Sequence, residues 1–169
     1  MTAAEIRTHL RYTGWASRKV LEAAMALSPE QQAKPMSVSH ESILGTLGHI
    51  HFADRIWYKR TVEPDLDMPA IAQLSSVEAL RADWPALQAR WEGWAGSLTD
   101  DGLNRTVEFK STAGVPGQAL VTHVILHLVN HATLHRGQVV GMLRQLGVKP
   151  PTTDIMAYLR EMREAGRPA

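Results

Sequence analysis

The chain contains no cysteine and no apolar run that approaches the length of a membrane span. The first absence removes disulfide frameworks, thiolate zinc sites, iron–sulfur clusters and cysteine nucleophiles together, so any chemistry must rest on nitrogen and oxygen atoms. The second points away from a membrane, because about 20 consecutive apolar residues are needed to cross a bilayer. Charge of one sign is also lacking: 18 Lys and Arg stand against 17 Asp and Glu, for a formal charge of +1. A chain so balanced has no field with which to recruit nucleic acid. Its first residues carry Glu5 and Arg7 and no apolar stretch of the secretory kind, which leaves a cytoplasmic protein as the expectation.

What is present suits one globular domain over residues 1–169, since 44% of the residues are hydrophobic and nothing repeats or falls to low complexity. Four long segments place apolar residues three and four positions apart, with Pro and Gly between them, which predicts helices. The first runs from Ala3 to Leu27, with Ile6, Leu10, Val20, Leu21 and Ala24 on one side. The second begins near Ser39, a suitable N-cap, and carries Ile43, Leu47, Ile50 and Trp57 up to the Glu63-Pro64 break. The third opens at Ser75, where Ser75-Ser76-Val77-Glu78 fits a capping box, and continues through Trp84, Leu87, Trp91 and Trp94 to about Leu98. Pro85 inside it either kinks the helix or marks a later start. Alternation from Asn104 to Ser111, followed by Ala113-Gly114-Val115-Pro116-Gly117, predicts a short hairpin or extended loop. The fourth helix spans Gln118 to Leu146 with Gly147 as its stop, and a last short one starts at Thr153 or Asp154 and ends after Arg163. The expected fold class is all-α, a four-helix bundle with that hairpin or loop before the fourth long helix.

Chemistry concentrates on the fourth helix, where His123, His127, His131 and His135 follow one another at intervals of four. A helix turns about 100° per residue, so successive members are offset by about 40° and only neighbours can share a ligand. Val121, Val124, Ile125, Leu128, Ala132, Val139, Met142, Leu143 and Leu146 define the inward stripe; His135 and His131 fall beside it, whereas His127 and His123 rotate away. A neutral imidazole in an apolar stripe must find partners or lose about 1–3 kcal/mol per unsatisfied group. Two such rings one turn apart invite a metal ion, although a core histidine is ordinarily just hydrogen-bonded. A further ligand can come from the second helix, where His49 and His51 lie about 200° apart on the wheel and cannot both face inward. His49 shares its side with Ala53, Ile56 and Trp57 and is the better choice. His9, His40, His51 and His123 read as surface or structural residues.

Metal-bound imidazoles give their remaining N–H to an oxygen atom, and His127, Asn130, Gln138 and Asp54 are candidates for that outer layer. Their ordinary readings are a helix-surface amide, or a carboxylate paired with Arg55 or Lys59. His131-Ala-Thr-Leu-His135 lacks the glutamate of the HExxH zinc proteases. No GxSxG, GxGxxG or P-loop occurs, and the Glu-x-x-His pairs of a di-iron bundle are missing. Trp15, Trp57, Trp84, Trp91 and Trp94 read first as core and interface residues. Gly137 and Gly141, opposite the inward stripe, permit close approach of another helix, from a second subunit or from within the chain.

These motifs carry a resemblance. Tyr12-Thr-Gly-Trp15-Ala16, then Gly48-His49-Ile50 with Ala53-Asp54-Arg55-Ile56-Trp57 and Arg60, then Asn130-His131 through His135-Arg136-Gly137-Gln138, and the tail Gly147-Val-Lys-Pro-Pro-Thr-Thr-Asp154, resemble the DinB/YfiT-like family of metal-dependent proteins. The resemblance covers most of the chain, though the third helix carries no diagnostic motif. It implies an up-down-down-up four-helix bundle, often a homodimer, with one divalent metal ion held by histidines that here are His49, His131 and His135. Zinc or nickel comes first for such a site, with iron or copper as alternatives. Leu134 stands where the family often has another histidine beside the last ligand. Relatives include thiol-dependent S-transferases and a maleylpyruvate isomerase, which implies a small-molecule substrate and a low-molecular-weight thiol as partner.

Three expectations follow. The first is a metal-dependent enzyme of thiol-transfer or related addition or hydrolysis type. The second is a non-catalytic, metal-stabilised or ligand-binding stress protein, since no convincing general base lies near the histidines. The third is a core in which the histidines only hydrogen-bond.

Overall fold

A computed structural model of the chain describes residues 1–65 and 74–167. The described residues are mostly helical. They form α1 (Ala3–Ala24), α2 (Pro29–Ala33), α3 (Ile43–Thr61), α4 (Val77–Gly96), a 3-10 turn (Asp101–Asn104), β1 (Thr106–Lys110), β2 (Pro116–Leu120), α5 (Val121–Gln145) and α6 (Ile155–Glu164).

The ends of these elements follow capping chemistry. Thr2 and Glu5 close a capping box on α1, and Ser28 and Gln31 do the same for the five-residue α2, which lies in the stretch after Leu27 expected to be a loop. The second long helix starts three residues later than Ser39 suggested, because Ser42 rather than Ser39 is the N-cap and accepts from the backbone N–H of Gly45. On α4 the cap is Ser76, whose hydroxyl accepts from Ala79, one residue beyond the expected box; Pro85 sits inside the helix, which continues through it. Its missing N–H costs the Arg81 carbonyl its usual donor.

Val121 begins the helix expected from Gln118, since Gln118, Ala119 and Leu120 are taken up by β2, which pairs antiparallel with β1 in the register Thr106 to Leu120 through Lys110 to Pro116. The α5 helix ends as expected at Gly147, with φ +76°, and Val148 N–H returns to Leu143 while Gly147 N–H returns to Arg144. Asp154 caps α6 by accepting from Ala157.

The principal packing pairs are α3 with α5, α1 with α5, α1 with α4 and α3 with α4. Each long helix therefore presents two faces to neighbours, and one continuous core forms between them from residues such as Ile6, Val20, Leu47, Leu80, Trp84, Ile125, Leu128 and Leu143, all essentially without exposure. Several polar side chains are buried among the helices, Arg136 and Asp54 among them. The Arg136 guanidinium, 1% exposed, donates to Thr13 Oγ1 at 2.8 Å, Ser17 Oγ at 3.2 Å and Thr133 Oγ1 at 2.9 Å, tying α5 to α1. Asp54 accepts from the Trp84 indole at 2.8 Å, and its carbonyl accepts from Trp91 at 3.2 Å, tying α3 to α4. No helix among the described residues is long and apolar enough to cross a membrane.

Candidate metal centre

The close packing of α3 on α5 brings one imidazole from the former against two from the latter. His49 Nε2 lies 2.8 Å from His131 Nε2, and the His49 ring centroid is 4.7 Å from those of both His131 and His135. His131 and His135, one turn apart on α5, have centroids 4.5 Å apart. The trio expected from the helical wheel is thus brought together, with His135 buried and His49 and His131 half-buried.

A fourth ring joins them, that of His40, which reads from the sequence as a surface or structural residue. His40, in the segment between α2 and α3, stacks on His49 with centroids 3.7 Å apart and planes 20° from parallel, and meets His135 edge-on at 5.1 Å. One ring nitrogen from each of His40, His49 and His135 lies within 4.8 Å of the others, close enough for these three residues to hold a metal ion. Two nitrogens each about 2.1 Å from one ion are separated by roughly 3.4 Å. The His49 and His131 nitrogens, 2.8 Å apart, are somewhat closer than that, and those of His40, His49 and His135 lie within 4.8 Å of one another. His40 lies outside any helix and so outside any periodic pattern; the only sequence signal for it was the residue type.

The electrostatics favour neutral rings. Burial, and then the neighbouring His40 and His135 rings, push His49 down to about 4. Burial pushes His131 down to about 4 as well, with His135, His49, His127 and His40 adding to it. His40 is lowered by burial and by His135. A neutral imidazole has one N–H and one lone pair. Between two facing Nε2 atoms only one can carry a proton, so the other supplies a lone pair to the same space.

His135 is fixed more tightly. Its Nδ1–H donates to Gln138 Oε1 at 2.8 Å, because an amide oxygen can only accept, and this leaves the His135 lone pair on Nε2. His131 Nδ1 is buried and has no hydrogen-bond partner among the described residues. With the protons of His49 and His131 on Nδ1, both facing Nε2 lone pairs join that of His135, a nitrogen donor set that fits a divalent cation.

The remaining candidates fall in different places. Gln138 supports His135 as the sequence suggested. His127 is exposed and lies between His131 and Trp57, with ring centroids 5.4 and 5.6 Å away. Asn130 is exposed on α5. The Asp54 carboxylate hydrogen-bonds Trp84 in the core; burial, opposed by that bond and by the Arg136 charge, raises it to about 6. His51 is buried and paired with Asp83 at 2.7 Å, which is the structural role expected of it. Beyond His127 an aromatic row continues through Trp57 to Phe109 of β1, 4.8 Å apart, capped by the Arg60 guanidinium 4.9 Å from the Trp57 ring and 5.2 Å from the Phe109 ring. Arg60 also donates to the Lys110 carbonyl. Phe109 is shared with an open cleft of about 580 Å³ along the hairpin.

Fold and site together describe a mostly helical protein with clustered neutral imidazoles that could hold a metal ion. The chain belongs to the DinB family, whose profile matches residues 1–166. It is 23% identical over 156 residues to Protein DinB of Bacillus subtilis (strain 168), a match spanning 88% of this chain and 90% of that relative. A DinB-like protein from Bacillus cereus ATCC 10987, known from its crystal structure, superposes with a TM-score of 0.58 at 19% identity over 85% of this chain and 94% of its own. At that identity the likeness is one of fold.

Proposed function

We propose that the chain binds one divalent metal ion through His49, His131 and His135 and works as a metal-dependent enzyme of thiol-transfer or related addition or hydrolysis type. The observation that carries this reading is the meeting of His49 Nε2 and His131 Nε2 at 2.8 Å from two separate helices, beside a His135 ring whose proton is held on Nδ1. Zinc or nickel suits an all-imidazole donor set, with iron or copper acceptable to the same ligands. Bound there, the ion supplies Lewis acidity and lowers the pKa of a thiol or water that reaches it.

The chain's own residues do the rest. Gln138 keeps the His135 proton on Nδ1 and its lone pair toward the site. The Trp57 ring, against His127, covers one flank with apolar surface. Arg60, over Trp57 and Phe109, holds a fixed positive charge at the end of that wall, suited to the carboxylate of a small-molecule substrate or thiol. The proposal includes the up-down-down-up course of the four long helices, a single domain over residues 1–169, a homodimer, and a cytoplasmic setting.

The test is metal analysis of the purified protein, followed by a screen of low-molecular-weight thiols against electrophiles. Stoichiometric metal in the wild type that is lost in His131→Ala, with turnover that follows metal content, is the expected result. Full metal occupancy in His131→Ala would falsify the ligand assignment. A second reading is a non-catalytic metal-stabilised bundle, favoured by the fourth imidazole at the cluster. It predicts that metal raises the melting temperature while no thiol and electrophile pair turns over.

A further inference from the structure

We infer that His40 is a fourth metal ligand, delivered by the segment ahead of α3, and that it stands between the ion and any incoming thiol or anion until it is displaced. The inference rests on the metal-binding reading above and adds to it the residue that closes the site.

Three features put the ring there. Gly45 in the first turn of α3 makes room, since a Cβ at that position would overlap the His40 carbonyl oxygen. Glu41, next to His40, adopts φ +60°, the only left-handed residue other than glycine among those described. Such a conformation is uncommon for a side chain of this size and persists where surrounding contacts impose it. Ser39, on the other side, exchanges hydrogen bonds with Gln138 across 99 residues of sequence: Gln138 Nε2 donates to Ser39 Oγ at 3.3 Å while Gln138 Oε1 accepts from His135. One amide thus anchors both the segment bearing His40 and the ring of His135.

The result is a stacked His40 and His49 pair, each with a ring nitrogen within 4.8 Å of one on His135. Side chains placed merely by surface chance have no need of a left-handed residue, a glycine-dependent approach and a long-range anchor at once. A loop-borne ligand can also move without unfolding a helix, unlike His49, His131 and His135. The ligand that must leave to admit an exogenous thiolate or anion is accordingly His40.

The test uses the full chain loaded with cobalt(II) alone. Each coordinated neutral imidazole keeps one exchangeable N–H, which paramagnetic NMR resolves and counts. Wild type is expected to show one more such resonance than His40→Ala. Cobalt dissociation constants in His40→Ala should rise by about tenfold or more, the scale on which lost support weakens a metal site. Azide should perturb the cobalt spectrum at lower concentration in that variant than in wild type. Gly45→Ala, which keeps the imidazole but displaces its carrier, is expected to lose the same resonance.

Equal resonance counts and equal cobalt affinity in wild type and His40→Ala overturn the inference. If His131→Ala loses cobalt in the same experiment, the three-histidine reading survives that failure. If wild type takes up no cobalt, both fall together.

Discussion

Gln138 Oε1 accepts from His135 Nδ1 at 2.8 Å, and the same amide's nitrogen donates to Ser39. One side chain therefore sets a tautomer on α5 and holds a segment from the far end of the sequence against it. Gln138→Leu is expected to lower metal affinity by about 10- to 100-fold, the range seen when the outer partner of a ligating histidine is removed. Ser39→Ala, which removes only the anchor, should cost less. Competition titration with a chelating dye orders the two variants, and a smaller loss in Gln138→Leu than in Ser39→Ala would contradict the relationship.

The acid response of the metal-free protein follows chiefly from the two rings lowered furthest, with His40, His51 and His127 lowered in the same direction, and from the one raised carboxyl. His49 and His131 sit near 4 in the fold, against 6.5 unfolded, so on acidification the unfolded chain takes up protons that the folded one refuses. Their contribution to stability is complete above pH 6.5 and is lost as the pH falls toward 4. Asp54 has the opposite sign: raised to about 6 from 3.8, its contribution is complete below 3.8 and is lost as the pH rises through 6. Urea midpoints between pH 7.5 and pH 4.5 should fall for the metal-free wild type. They should fall more steeply for Asp54→Asn and flatten for the double variant His49→Gln with His131→Gln. An unchanged slope in that double variant would remove the two rings from the account.

The Trp84 indole is the hydrogen-bond donor that keeps the buried Asp54 carboxyl satisfied. Trp84→Phe retains most of the apolar bulk and removes the donor, so the expected loss is about 1–3 kcal/mol, the cost of a buried polar group left unpaired. The companion change Asp54→Leu in the Trp84→Phe background should recover part of it, since deleting both partners can be nearly neutral. Denaturant unfolding checks both, and equal stability of wild type and Trp84→Phe would show that the bond carries no weight.

Glu41 has the reverse character, because its left-handed backbone costs about 1–2 kcal/mol for a residue with a Cβ. Glycine pays no such penalty but loses more entropy on folding, about 0.5–1 kcal/mol. Glu41→Gly is therefore expected to stabilise the protein slightly, by up to about 1 kcal/mol, in thermal or urea unfolding. Clear destabilisation would mean that the Glu41 side chain holds the segment in some other way.

Much of this protein could be read from spacing alone. A helix is a local structure, so apolar residues three and four apart, Asp154 at a start and Gly147 at a stop suffice to draw it, and the turn of about 100° per residue places His131 and His135 beside the core stripe. The same wheel separates His49 from His51, and the fold puts the first in the cluster and the second against Asp83. Where caps compete within a few residues, as with Ser39 and Ser42 or Ser75 and Ser76, periodicity does not choose between them, and the packing of the following turn does.

Tertiary structure alone decided what lies beyond one helix. Asp54, with no periodic signal to distinguish a metal-supporting role from a core one, turned to Trp84 because α4 packs on that face of α3. His40 reached the cluster through a glycine on α3, a left-handed residue and a bond spanning 99 positions to Gln138. Spacing along a chain encodes the direction a side chain takes from its own helix axis; which nitrogen meets which, and what a loop carries to the meeting point, depends on how separate helices dock, and no local pattern records that.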